Sequence, residues 1–92
     1  MRTFTYRKLT ALAWSFDADG SAAGIIKVEI FKDLQHTERI GEPEFYFGSI
    51  AEPNRSDKGA YYDARRIVEL GTKITPKIAE EIAKACYNKD ER

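Results

Sequence analysis

The sequence predicts an α+β domain: an antiparallel sheet of three strands, or four, followed by two helices on one face, in β-β-β-α-α order. Three observations predict it. Residues 2–31 read as a long β-hairpin, rich in aromatic and β-branched residues and interrupted by turn formers. Glu44-Phe45-Tyr46-Phe47-Gly48-Ser49-Ile50 is too aromatic for a loop. Beyond Gly59 the apolar residues recur at helical spacing. Strands first and helices after imply helices laid on a sheet.

The first arm runs from Arg2 to Phe16. Its bulky alternate set is Phe4, Tyr6, Lys8, Thr10, Leu12, Trp14 and Phe16, which the pattern places toward the core. Lys8 and Thr10 interrupt that set, while Leu9 and Ala11 are apolar on the other face. A bulge near Arg7-Lys8 reconciles the two phases; a sheet covered in part on both sides is the alternative. Asp17-Ala18-Asp19-Gly20-Ser21 supplies the turn. Its Asp-x-Asp-Gly start is not a calcium loop, because the twelfth position, which needs a Glu, is Val28.

In the second arm, from Gly24 to Phe31, Ile26, Val28 and Ile30 form the cleaner core face. Ile25, Lys27, Glu29 and Phe31 lie opposite. Lys32 to Arg39 is polar and extends the strand before Gly41 and Pro43 break it. Residues 51–59 form an exposed loop in which Ser56 or Asp57 caps the next helix. That helix spans about Ala60 to Leu70, with Ala60, Tyr61, Ala64, Ile67 and Val68 as its apolar stripe and Gly71 at its C′ position. Thr75-Pro76 opens the second helix as N-cap and first helical residue. Ile78, Ala79, Ile82, Ala83 and Cys86 form its buried stripe, and residues 87–92 a fraying tail.

Composition narrows the function classes. At 92 residues the chain forms one domain, burying roughly 60 to 65% of the surface its unfolded form exposes. Fifteen Lys and Arg balance fifteen Asp and Glu, which argues against a simple DNA coat protein built on counterion release. One cysteine excludes an internal disulfide and fits a reducing compartment. The N-terminus enters strand pattern at once, without a signal peptide, and reads as a cytosolic start.

Catalytic chemistry finds little footing. His36 and Cys86 are single, too few for a zinc site without carboxylates from elsewhere. Cys86 on an apolar helical stripe reads as a buried, inert thiol. Glu42 and Glu44 flank Pro43, and Glu80-Glu81 fit a solvated helix face. A metal-dependent nuclease needs spaced acids on a strand pair, for which Glu29 and Glu44 are the available residues. No glycine-rich phosphate loop exists. The two helices invite comparison with a helix-turn-helix, but Glu80 and Glu81 would then point at phosphates beside Lys77 and Lys84.

Recognition has more to work with. Arg7 and Lys8 sit in an arm with no acid before Asp17, and Arg65-Arg66 sit together on the first helix. Tyr62, next to Tyr61, is the better candidate for exposure. Such residues engage phosphates, stack on bases or anchor protein interfaces. As ordinary solubilising charges they are equally balanced by Asp57, Asp63 and Glu69.

A chain this small that opens Met1-Arg2-Thr3-Phe4-Thr5-Tyr6, builds a hairpin-plus-helices domain and carries no catalytic constellation resembles the small accessory proteins of bacteriophages. Among these it is similar in size and organisation to the anti-CRISPR inhibitors of type I effector complexes. Those inhibitors share no motif, so no functional residue carries over, and the neutral charge departs from their acidic DNA-mimicking members. The resemblance implies a stoichiometric, non-enzymatic inhibitor in the host cytoplasm, with no cofactor, metal, membrane or small-molecule substrate. It implies docking on the protein subunits of a CRISPR–Cas ribonucleoprotein, against or beside guide RNA, to block target DNA. One face of a small domain can supply the ~800 Å² per partner of a standard interface. Arg7, Lys8, Arg65 and Arg66 are then the candidate phosphate contacts and Tyr62 the anchor. A small nucleic-acid-binding or transcription-related accessory protein is the alternative.

Overall fold

The structure is a computed structural model that describes residues 4–16, 22–50 and 57–90; positions 16, 22, 50, 57–63 and 87–90 are described by their backbone alone. The element order is β1 (Tyr6–Phe16), β2 (Ala22–Phe31), β3 (Glu44–Ile50), α1 (Asp57–Leu70), β4 (Thr72–Ile74) and α2 (Pro76–Asp90). The strands form one antiparallel sheet in the order β1-β2-β3-β4. The α+β architecture is as the sequence predicts, with β4 as the fourth strand. The expected turn at residues 17–21 and residues 51–56 of the expected loop lie outside the described residues, and residues 57–59, expected in that loop, are the start of α1.

The register fixes the faces. Leu9 opposes Val28, Ala11 opposes Ile26 and Trp14 opposes Gly24. The pairing slips between Ala11 and Ala13, leaving Leu12 as the extra residue. The expected slip at Arg7-Lys8 is thus displaced toward the far end of the arm, and Tyr6, Lys8 and Thr10 face away from the Leu9–Val28 side. The bulge returns Trp14 to that side, where large apolar residues are needed. Ile26, Val28, Ala64 and Ile67 form the buried cluster there, with Leu9, Trp14, Tyr46 and Val68 packed against it.

Ile25 and Ile26 are adjacent on β2 and both fully buried. Neighbours on a strand point to opposite faces, so the sheet is covered on both sides at this level. α1 fills the Ile26 side. α2 contributes nothing to that cluster but packs against β1, β2 and β3, and it is the described helix left to cover Ile25. The expectation that both helices share one face is corrected accordingly. Its cause is legible in β2, where Ile25 and Phe31 share a face with Lys27 and Glu29 and the pattern favours the other side.

The helix boundaries have local causes. α1 ends where the Gly71 N–H donates to the Ile67 carbonyl at 2.6 Å. A Cβ on Gly71 would collide with that carbonyl oxygen and sit 2.7 Å from the Phe47 carbonyl oxygen. Glycine is required here by close backbone approach, which lets the chain turn directly into β4. Thr75 caps α2, its Oγ1 accepting from the Ile78 N–H at 3.2 Å. Ala79 is buried, Ile82, Ala83 and Cys86 are half-buried, and Ile78 is exposed, so the predicted stripe is narrower by one residue. β4 separates the helices, so they do not form a helix-turn-helix.

Candidate interaction surface

Arg7 and Lys8 lie near the start of β1, an edge strand that among the described residues pairs only with β2. Both are exposed. Being consecutive, they project to opposite faces, and each meets a different set of charges.

On the Lys8 side the directly opposed residue is Glu29. The Glu29 carboxylate pairs with Lys27 at 3.7 Å and with Arg39 at 3.5 Å. Two cations thus pair with this carboxylate, and Lys8 stands across the strand from it without an ion pair among the described residues. Arg39 is brought there by the segment after β2. Asp33 organises that segment: its carboxylate accepts from the Thr37 hydroxyl at 2.6 Å and from the Thr37 and Glu38 N–H groups at 3.0 and 2.8 Å. These bonds hold Asp33 below the usual carboxylate range, the Thr37 hydroxyl contributing most. His36 takes a left-handed backbone, φ 59°, and its ring lies 4.9 Å from that of buried Phe31. The chain returns through a Phe31–Arg39 bridge. Where the sequence reads as an extended strand, the structure has a tight, self-bonded loop.

On the Arg7 side the centre is Glu44. Its carboxylate accepts from the Tyr46 hydroxyl at 2.7 Å and pairs with Lys73 at 3.5 Å. The Tyr46 bond is the main cause that holds Glu44 below the usual carboxylate range; burial opposes it, and Lys73 and then Arg7 support it. The same bond is the main cause pushing the Tyr46 hydroxyl above its ordinary value, with burial adding to it.

Arg65 and Arg66 are exposed on α1, beside the buried Ala64 and Ile67. Lys8 faces away from α1, so the four predicted basic residues do not make one continuous patch. Strand alternation separates Arg7 from Lys8. The Tyr62 side chain lies outside the described residues. Sequence reasoning, which places Lys73 only in a basic turn after the first helix, missed Lys27, Arg39 and the pairing of Lys73 with Glu44, whose parts depend on register. The available signal was the i, i+2 spacing of Lys27 with Glu29 and of Glu44 with Tyr46, which puts each pair on one face of a strand.

Glu29 and Glu44 point to opposite faces, one beside Lys8 and the other beside Tyr46, so they cannot serve one metal. Among the described residues no group of three or more His, Cys, Asp or Glu side chains is arranged to hold a metal ion. No described helix is long and apolar enough to cross a membrane. Glu80 is engaged by Lys84 at 3.1 Å on an exposed face of α2. No family model, curated protein or solved structure matches this chain.

Proposed function

We propose that the chain is a small non-catalytic binding protein, a phage-encoded inhibitor that docks on a CRISPR–Cas effector complex and blocks target DNA binding or hybridisation. The observation that carries the docking part is the outer edge of β1, unpaired among the described residues, which presents Arg7 and Lys8 and no carboxylate from Tyr6 to Phe16. Its two cations bracket whatever lies alongside, one from each face of the sheet. The exposed Arg65 and Arg66 on α1 add basic surface on the helix side. Similarity in size and organisation to the type I inhibitors supports the choice of target class.

The test is capture of a purified type I effector complex by the tagged chain, with and without nuclease treatment, followed by competition with labelled target DNA. Nuclease-resistant capture and displacement of target DNA are the expected results. Capture of naked nucleic acid alone, falling steeply with salt, would replace the reading with a nucleic-acid-binding accessory protein. Capture of neither would end it.

A further inference from the structure

We propose that the Tyr6–Ala11 edge of β1 is a strand-addition site for an extended acidic peptide segment of the partner, a mode of docking that rests on the binding reading above. Among the described residues β1 pairs only with β2, so alternate backbone N–H and C=O groups along its outer side have no described strand to bond. Among the described residues no other backbone hydrogen bond reaches β1. An added strand satisfies those groups and gains affinity from the backbone itself.

Register limits the site. Pairing of β1 with β2 is regular from Tyr6 to Ala11 and slips at Leu12. A new strand continues the ladder over the regular part and meets a changed twist at the bulge.

Charge selects the occupant. Arg7 and Lys8 lie inside the regular part and form no ion pair among the described residues. The nearest carboxylates are already engaged, Glu29 by Lys27 and Arg39, and Glu44 by Tyr46 and Lys73. Two adjacent acidic residues on an added strand point to opposite faces, as Arg7 and Lys8 do, so a neighbouring pair of acids matches both cations at once. A second copy of the chain is a poorer occupant. Antiparallel pairing of two Tyr6–Ala11 edges crowds four cations into one short ladder to which β1 contributes no carboxylate.

The test uses the full chain and two labelled peptides, Thr-Val-Glu-Glu-Val-Thr and Thr-Val-Lys-Lys-Val-Thr, capped at both ends. Fluorescence anisotropy is expected to show the acidic peptide binding about tenfold more tightly than the basic one. Amide hydrogen exchange is expected to slow along β1 and to stay unchanged in β3 and α2. The double substitution Arg7→Gln and Lys8→Gln should bring the two peptides to near parity while leaving the circular dichroism spectrum unchanged. Equal binding of both peptides by the native chain, protection away from β1, or sedimentation as a dimer paired through β1 would each overturn the inference. None of these outcomes touches effector capture, whose own failure would be read in the preceding experiment.

Discussion

The Tyr46 hydroxyl donates to the Glu44 carboxylate at 2.7 Å, so one side chain anchored in the core fixes the charge beside Arg7 and Lys73. Tyr46→Phe removes that donor and keeps the ring. A hydrogen bond to a charged acceptor is worth roughly 1.5–3 kcal/mol when sheltered; Glu44 is 36% exposed, which discounts this to about 1 kcal/mol. Because folding lowers the Glu44 pKa, its contribution is present above the unfolded carboxyl value and lost as pH falls through the folded one. Tyr46 works in the other direction: its raised pKa gives stability that is complete below about pH 10 and lost as pH rises through the folded value. Urea unfolding should therefore separate native and Tyr46→Phe chains at pH 7, and the gap should close as pH falls through the folded Glu44 value.

Gly71→Ala should destabilise the domain by about 2 kcal/mol, within the usual cost of forcing extra volume into a packed site. The new methyl meets two backbone carbonyl oxygens, those of Ile67 and Phe47, and neither is the end of a flexible side chain. Local loss should come first in β4. Amide exchange at Thr72–Ile74 would report it, and an unchanged rate there would mean that the turn relaxes without cost.

Ile25→Ala and Ile26→Ala should each cost about 2–5 kcal/mol, since each removes a fully buried side chain from a separate face. Ile78→Ala should change stability by no more than about 0.5 kcal/mol, because Ile78 is exposed despite its place in the helical stripe. Thermal melts of the three variants distinguish a sheet covered on both faces from one with a solvated side. In the latter case Ile25→Ala would be as mild as Ile78→Ala.

Glu29→Gln leaves Lys27 and Arg39 beside a neutral amide, with Lys8 across the strand from it. The expected loss is about 1 kcal/mol at low salt, shrinking as ionic strength rises. Retention on a heparin column should increase, because the carboxylate that offsets the three cations is gone. Unchanged retention would show that this face is not available to a polyanion.

Much of the fold is legible in the residues because local chemistry and tertiary structure agree. Glu44–Ile50 has the aromatic content of a strand, and Thr75-Pro76 carries its own cap. Thr72-Lys73-Ile74 is too short to show a period; it becomes a strand because Gly71 delivers it against β3. The slip in β1 was misplaced for a related reason. Lys8 breaks the apolar alternation, but exposure of Lys8 needs no irregularity once Leu9 and Ala11 define the α1 side. The candidate surface was readable as far as Arg7 and Lys8. Their neighbours were not, because Arg39 reaches Glu29 through a loop that Asp33 folds, and Lys73 reaches Glu44 through a strand pairing.

The two margins of the sheet are unequal. One is the long β1, and the other is β4, only three residues from Thr72 to Ile74. A fibril built by laying copies side by side in one direction must join the long margin of each molecule to the short margin of the next. Each such joint can zip only as far as the stub allows, too few rungs to outweigh the entropy of immobilising another molecule. A long margin set against a three-residue one makes a poor repeating joint, so side-by-side growth in one direction is disfavoured by the shape of the sheet itself.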